Sequence, residues 1–191
     1  CLLRWWNGYS ASYNLANKAD REFLGGILEK LMTDYGVDGF KFDGGDMVSL
    51  LPENVVNGRQ SSFAPEELNT AWNDFGTKFE FHEFKDTFKG GGKPSIQRLC
   101  DRNHRWKDNG IDSIIPAALM QGLIGHPFIC PDMIGGGEFH ANYDPNFKTD
   151  EELFVRMAQV SALFPMMQFS WAPWRVLSKK GQALCKKAAD L

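Results

Sequence analysis

The feature that most constrains the fold is a regular alternation of short apolar runs with segments of helical periodicity. The chain contains five apolar runs typical of strands. They are CLLRWW at 1–6, VDGFKF at 37–42, SIQRLC at 95–100, HPFIC at 126–130 and PMMQFSW at 165–171. Parallel strands need a long crossover connection, which is usually a helix, so this alternation is typical of parallel β/α architecture.

The helical segments between these runs are recognised by apolar spacing and by end signals. In 20–35, Phe23, Ile27 and Leu31 recur at i, i+4 and i+8 with Leu24 and Leu28 beside them, and Gly36 is a natural C-terminal stop. Loops are predicted over 7–17 and 44–64. Further helices are predicted over 64–79, 111–123, 150–164 and 178–191.

The number of β/α units points to an incomplete barrel. A complete (β/α)8 TIM barrel takes about 250 residues, whereas the 191 residues here provide about five units. We therefore predict an α/β chain that forms a partial (β/α) barrel domain over residues 1–191. An open doubly wound sheet is the alternative, but no GxGxxG or phosphate-binding loop follows a predicted strand. Because the chain opens at Cys1 without Met and closes within a predicted helix, we expect a segment of a longer protein.

Composition narrows the class of partner. The net charge is −3 and no basic stripe is present, which argues against nucleic acid as the partner. No apolar run reaches the roughly 20 residues of a membrane span. The four cysteines and four histidines are dispersed without metal-ligand spacing, so we expect neither a zinc site nor any other metal or cofactor.

The stretch GVDGFKFDGGD at 36–46 places charges inside an apolar strand. Because side chains alternate along a strand, Phe40 and Phe42 share one face, and Lys41 and Asp43 share the other. Gly44 and Gly45 then end the strand. The stretch predicts a carboxylate beside a cation at the strand's carboxyl end, with a purely structural Lys–Asp ion pair as the alternative.

Three acids and a tryptophan follow predicted strands at the edge where barrel active sites lie. They are Asp43, Asp101, Asp132 and Trp171. A pair of carboxyl groups at such an edge suits glycoside hydrolysis, which needs a carboxylate nucleophile and a carboxylic acid that protonates the leaving oxygen. Lys41 beside Asp43 favours an ionised nucleophile, whereas the second acid must be protonated at rest.

Four motifs, in this order, resemble glycoside hydrolase family 31. They are WWNGYSASYNLAN, YGVDGFKFDGGD, QRLCDRNHRW and SIIPAALMQGLIGHPFICPDMIGG, and the resemblance extends from about Trp5 to about Val176. It implies a (β/α)8 barrel with retaining α-glycosidase activity or the related lyase and transferase activities, and a location in the secretory pathway lumen or outside the cell. The KFDGGD form, with Lys41 before Asp43, resembles most a branch associated with α-galactoside hydrolysis.

The resemblance implies specific catalytic roles. Asp43 matches the nucleophile and Asp101 matches the acid/base, since Trp106 follows Asp101 by five residues and a Ser-Ile pair then opens a helix. Asp108 is the competing acid/base, because the commonest family form places Asn directly after the acid. The spacing to Trp106 favours Asp101.

The resemblance also implies how a carbohydrate would be bound. Arg98 matches an arginine that binds a sugar hydroxyl or orients a carboxylate, and Asp132 matches an aspartate near the glycone. Lys41 could donate to a sugar hydroxyl, and Trp6 could stack on a sugar face. GGD replaces the usual MNE after the nucleophile, and a late family histidine is missing; both departures bear on glucose specificity and leave the carboxylate pair intact. The alternative from another class is a non-catalytic carbohydrate-binding fragment or pseudoenzyme of the same fold.

Overall fold

The computed structural model describes residues 2–5, 8–54, 63–137 and 146–191, without the side chains of residues 48, 49 and 52. The chain divides into two compact units, Cys1–Ser95 and Ile96–Leu191. Each unit is described by itself below. The single domain over 1–191 that the sequence predicts stays a prediction.

The first unit opens with a hairpin rather than a single strand. Strand β1 (Leu2–Trp5) pairs antiparallel with β2 (Gly8–Ala11), and Leu2 lies opposite Ala11. The predicted loop over 7–17 is therefore wrong at its start. GYSA is exposed along its whole length and carries no apolar alternation, so no burial pattern marked it as a strand.

Helix α1 (Lys18–Tyr35) ends at the predicted stop Gly36 and begins two residues before the predicted start at residue 20. The Asn17 side chain caps its first turn by accepting the Ala19 N–H at 3.0 Å. Gly36 ends it in the left-handed conformation, with φ 65°, which costs glycine little.

The buried face of α1 is one side of the predicted apolar stripe. Leu24, Leu28 and Met32 pack against the core of the first unit. Phe23 and Ile27 are exposed. Both sets have helical spacing, so periodicity alone did not decide which of the two faces the core.

The centre of the first unit is a parallel strand pair joined by a helix. Strand β3 (Gly39–Phe42) is followed by two short 3₁₀ turns, Met47–Leu50 and Pro52–Asn54, and then by α2 (Pro65–Gly76) and β4 (Phe81–Phe84). Strands β3 and β4 run parallel, with Gly39 opposite Phe81 and Phe42 opposite Phe84. The sequence reading missed β4 because the apolar pattern of the predicted helix runs into it; α2 ends three residues earlier than predicted.

Aromatic packing explains why these elements associate. Phe42 stacks on Phe84 with ring centroids 5.1 Å apart. The rings of Phe42 and Trp72 pack edge to face, and their centroids are also 5.1 Å apart. Phe40 packs against the same cluster, so Phe40 and Phe42 share the core face as predicted. The opposite face of β3 is thereby left to Lys41.

The second unit repeats the strand–helix–parallel strand arrangement. Its elements are β5 (Ile96–Arg98), α3 (Ile114–Leu123), β6 (Phe128–Cys130), β7 (Met133–Ile134), α4 (Glu151–Ser161), β8 (Gln168–Phe169), α5 (Pro173–Val176) and α6 (Lys179–Ala189). Strands β5 and β6 are parallel, as are β7 and β8. The main core cluster of this unit draws on α4 and α6 together with Ile134 of β7. No helix in the described ranges is long and apolar enough to cross a membrane.

Candidate active site

Asp43 stands directly after β3, as the sequence predicts. Its side chain is exposed and lines a cavity of about 220 Å³ in the first unit. Its Oδ1 accepts the Gly44 N–H at 2.9 Å. Gly44 and Gly45 both have φ 75°, and a Cβ on Gly44 would meet the Trp5 ring at 3.0 Å. The two glycines therefore allow both the sharp turn and the close approach of the aromatic ring.

The cavity beside Asp43 combines aromatic surface with polar groups. Its lining includes Trp5, Ser10, Ser12, Tyr13, Asp46 and Trp72. Aromatic rings offer flat apolar area, and hydroxyl and carboxyl groups offer hydrogen-bond partners, which together suit a small polar ring as ligand. The predicted platform Trp6 lies outside the described residues.

Lys41 has an acidic partner that the sequence reading did not identify. The register of β3 and β4 places Lys41 opposite Glu83, and Lys41 Nζ lies 3.6 Å from Glu83 Oε1. The Glu83 side chain is 1% exposed, whereas that of Lys41 is 38% exposed. A buried carboxylate needs a nearby cation, so Glu83 fixes where the Lys41 ammonium lies.

A buried amide holds the loop that follows Asp43. Asn69, on α2, donates from Nδ2 to the Gly45 carbonyl at 2.8 Å and accepts the Phe88 N–H at 2.6 Å. The Met47 N–H donates to Asp86 at 3.2 Å. Burial raises the pKa of Asp86, and its backbone hydrogen bond to Met47 opposes that rise. The loop that follows Asp43 is thus tied to α2 and to the segment after β4.

In the second unit, one guanidinium joins two of the predicted acids. Arg98 is the last residue of β5 and is buried. Its Nη1 donates to Asp101 Oδ1 at 2.9 Å and to Asp132 Oδ1 at 2.7 Å. Parallel strands β5 and β6 end at the same edge, which is why residues that follow them meet there.

Asp132 is held on both carboxylate oxygens. Its Oδ2 accepts the Arg102 N–H at 2.7 Å, while Oδ1 faces Arg98. Burial raises the pKa of Asp132, and the hydrogen bond from Arg102 and the charge of Arg98 oppose that rise. Its backbone has φ 77°, a conformation that non-glycine residues rarely adopt and that concentrates at functional sites.

The two competing acid/base candidates occupy different settings. The Asp101 side chain is 46% exposed and is oriented by Arg98. Asp108 lies on an exposed turn with φ 56°. Geometry therefore favours Asp101, an accessible carboxyl in a fixed orientation, and its acid/base role stays a prediction.

The glycines after Asp132 bring two loops together. A Cβ on Gly136 would lie 2.8 Å from the His104 backbone nitrogen. The Gly137 N–H donates to the Arg102 carbonyl at 2.7 Å. The glycine run therefore permits the close contact that holds the segment carrying Asp101.

The side chains of His104 and Trp106 anchor the loop after Asp101 to helix α4 through Asp150. The Asp150 N–H donates to His104 Nε2 at 3.0 Å, and Trp106 Nε1 donates to Asp150 Oδ2 at 2.9 Å. Asp150 also caps α4. Trp106, whose spacing from Asp101 supported the acid/base prediction, thus ties the middle of the loop after Asp101 to the start of α4.

Three residues that contact the predicted site residues or the loop after Asp43 were not predicted from the sequence, and each lacked a local signal. Glu83 lies on the missed strand, and Asn69 appears in the sequence as one polar residue of an amphipathic helix. Arg102 stands in a polar loop where exposure is the normal expectation. In the described part of the chain, no group of three or more His, Cys, Asp or Glu residues could hold a metal ion.

The chain belongs to family 31 of the glycosyl hydrolases, since the model of that family's TIM-barrel domain matches residues 2–174. The predicted family and the (β/α)8 class are thereby confirmed. The described strand–helix–strand units are those of an incomplete barrel.

Named relatives place the chain within the family. Myogenesis-regulating glycosidase of Mus musculus is 36% identical over 183 residues, which are 91% of this chain and 25% of that protein. This similarity confirms the predicted family branch, which is that of the mouse protein, and the α-galactoside specificity stays a prediction. Sulfoquinovosidase of Escherichia coli (strain K12) is 27% identical over 177 residues, 84% of this chain and 24% of that protein.

Solved structures show the same fold. A family 31 sulfoquinovosidase from E. rectale, in complex with an aza-sugar inhibitor, superposes with a TM-score of 0.74 at 19% identity, over 99% of this chain and 30% of that chain. A family 31 α-glucosidase from Bacteroides thetaiotaomicron superposes with a TM-score of 0.68 at 18% identity, over 98% of this chain and 32% of that chain. The chain thus spans about a quarter of the curated relatives and about a third of these solved chains.

Proposed function

We propose that the whole protein containing this chain is a retaining α-glycosidase that cleaves O-glycosidic bonds through a covalent glycosyl-aspartate. The observation that carries the proposal is the position of Asp43. It is an exposed carboxyl group directly after a barrel strand, in a cavity lined by Trp5 and Trp72, in a chain of family 31.

In the proposed mechanism Asp43 attacks the anomeric carbon while Asp101 protonates the departing oxygen. A glycosyl-enzyme forms, and Asp101 then acts as general base on the water that hydrolyses it. The side chain of Asp101 is accessible and Arg98 orients it. The Arg98 cation favours the ionised form of Asp101, which suits the base step, whereas the acid step requires Asp101 to take up a proton before the substrate reacts. No metal or cofactor enters this scheme.

We propose that the four residues predicted from the sequence to bind substrate, Lys41, Trp6, Arg98 and Asp132, contact or position the sugar. The Lys41 ammonium, held by Glu83, would donate to a sugar hydroxyl, and Trp6 would stack on the sugar. Arg98 and Asp132 would act near the glycone. Both oxygens of Asp132 accept hydrogen bonds within the protein, so its effect on binding would pass largely through Arg98 and Asp101.

We propose an α-galactoside as substrate, on the KFDGGD form of the nucleophile motif. Relatives and structural neighbours named as a sulfoquinovosidase and an α-glucosidase define the competing sugars. α-Galactosides, α-glucosides and α-sulfoquinovosides belong in one substrate panel, and the preferred sugar is the one with the highest kcat/KM.

Covalent trapping tests the proposal directly. The whole protein and the 191-residue chain are incubated with fluorinated mechanism-based inhibitors of α-galacto and α-gluco configuration, and the label is mapped by mass spectrometry. We expect label on the peptide that carries Asp43, and none after Asp43→Asn. Asp46→Asn is the matched control, since Asp46 lines the same cavity; it should retain the label.

Two outcomes would redirect the proposal. Label on a different carboxyl group would move the nucleophile. A folded whole protein that binds sugar without labelling or turnover would instead support the non-catalytic carbohydrate-binding alternative. Label on the whole protein alone would show that activity requires segments beyond this chain.

A further inference from the structure

We propose that Arg102 is a positioning residue for the acid pair of the second unit, because its buried side chain and its backbone fix Asp101 and Asp132 at the same time. The role in catalysis rests on the proposed glycosidase function. The sequence pattern does not predict a role for Arg102, whereas its hydrogen bonds in the structure link it to Asp132, Asn109 and Ser113.

The backbone of Arg102 lies between two loops. Its N–H donates to Asp132 Oδ2 at 2.7 Å, and its carbonyl accepts the Gly137 N–H at 2.7 Å. Arg102 directly follows Asp101 in the chain. The segment that carries Asp101 is therefore docked on the loop that carries Asp132, through one residue.

The side chain of Arg102 closes the loop that runs from Asp101 to Ser113. Its Nη1 donates to Asn109 Oδ1 at 2.6 Å and to Ser113 Oγ at 2.9 Å. Asn109 in turn donates from Nδ2 to the Asp101 carbonyl at 2.7 Å. The contacts form a ring from Asp101 through Asn109 and the guanidinium back to the backbone beside Asp101.

The burial of Arg102 restricts the conformation of the loop from Asp101 to Ser113. Arg102 is 5% exposed, and a buried cation is costly unless hydrogen bonds and opposite charges compensate it. Burial lowers the pKa of Arg102, and the nearby Cys100, Asp132, Asp101 and Asp112 oppose that change. A guanidinium with this many local partners cannot turn outward without breaking the ring, so the loop has one favoured conformation.

A surface arginine would have no such effect. Arg156 on α4 is exposed, and its partners are the side chains of Gln159 and Glu152 on the same helix. Pairs of that type contribute little to stability. Arg156→Met is therefore the matched control for Arg102→Met.

The test uses the whole protein and two readouts. Amide hydrogen exchange over residues 99–113 is measured first, since it does not depend on activity. We expect faster exchange in Arg102→Met and Asn109→Gly and no change in Arg156→Met. Asn109→Gly removes the same link while keeping the buried cation, and glycine tolerates φ 66° at that position; it serves if Arg102→Met folds poorly.

The second readout is the pH profile of kcat/KM on an α-glycoside with a poor leaving group, whose departure needs the proton of Asp101. Misplacing a reacting group by about 1 Å can cost on the order of 100-fold in rate, so we expect kcat in Arg102→Met to fall by about 10- to 100-fold, with a smaller change in KM. Loss of a nearby cation favours protonated carboxyl groups, so the alkaline limb should move to higher pH. Arg102→Lys keeps the charge and should leave that limb in place.

The two readouts separate the two claims. A folded wild-type protein with no turnover would overturn the proposed function, and hydrogen exchange would still decide whether Arg102 positions the loop. Unchanged exchange in both Arg102→Met and Asn109→Gly would overturn the positioning role. Faster exchange with an unmoved alkaline limb and unchanged kcat would show a structural role alone and also overturn the proposal.

Discussion

At the scale of single residues, the most informative contact is the Arg98 guanidinium shared by Asp101 and Asp132. One acid is accessible and the other is fully buried. Two carboxyl groups on one cation therefore have different environments, and such a difference separates their chemical roles.

The first residue-scale prediction separates the two acid candidates. In the whole protein, Asp101→Ala should reduce kcat/KM far more for substrates with poor leaving groups than for activated aryl glycosides, because only poor leaving groups need protonation. Asp108→Ala is the control and should affect both classes little. Equal losses on both substrate classes in Asp101→Ala, together with a leaving-group-dependent loss in Asp108→Ala, would transfer the acid role to Asp108.

The second residue-scale prediction concerns pH and Asp132. The pKa of Asp132 is raised in the folded state, so its carboxyl group binds a proton more tightly in the native protein than in the unfolded chain. The stabilising contribution of the neutral form is complete below the unfolded pKa of about 3.9 and is lost as pH rises through the folded pKa.

Asp132→Asn removes this titration. The difference in free energy of unfolding between wild type and Asp132→Asn should therefore shift against the wild type as pH rises from about 4. Urea denaturation at a series of pH values measures it. A difference that stays constant with pH would contradict the raised pKa.

At the scale of elements, local capping signals predicted helix ends better than apolar patterns predicted strands. Gly36 ends α1 as predicted from the sequence, because capping depends on a few neighbouring residues. Strand β4 was missed, because a four-residue strand is recognised by its partner β3 and by the burial of Phe84 rather than by local composition.

The element-scale prediction is the capping of α4 by Asp150. Its side chain accepts the Leu153 N–H at 3.1 Å, and this bond, followed by that from Trp106, lowers the pKa of Asp150. Asp150→Ala should reduce the free energy of unfolding by about 1 kcal/mol at neutral pH. Asp150→Asn, which can still cap, should cost less.

The pH dependence of the same variant follows from the lowered pKa. The stabilisation by Asp150 is present above the unfolded pKa and is lost as pH falls through the folded one. The cost of Asp150→Ala should therefore shrink in acid, as measured by denaturation at pH 7 and near pH 3. An equal cost at both pH values would show that the ionised cap is not responsible.

At the scale of the whole molecule, helix α3 carries an apolar face that the 191-residue chain leaves exposed. Leu119 is 66% exposed and Leu123 is 84% exposed, and Ile115 and Met120 lie nearby on the same helix. Contiguous exposed apolar area promotes association in isolated chains.

The whole-molecule prediction is that the isolated chain self-associates through this face. The double variant Leu119→Glu with Leu123→Lys should lower the apparent mass in light scattering and reduce binding of a hydrophobic dye. The control exchanges the Lys186–Asp190 ion pair of α6 and should change neither. A monomeric wild-type chain that binds no dye would contradict the prediction.

The sequence by itself determined the family, the β/α alternation, and the placement of Asp43, Asp101 and Asp132 just after strands. These features depend on residues close together in the chain: strand periodicity, turn glycines and helix caps. The order of the four motifs also indicates the family, and the family model that matches residues 2–174 confirms the family.

Tertiary structure alone decided which groups meet. Glu83 reaches Lys41 only through the register of two strands, and Asp132 reaches Arg98 across 34 positions. The segment that carries Arg102 contacts the loop after Asp132, where Gly136 allows the close approach and the Gly137 N–H donates to the Arg102 carbonyl. Such contacts depend on the burial of distant segments against one another, and no local pattern of residue types encodes them.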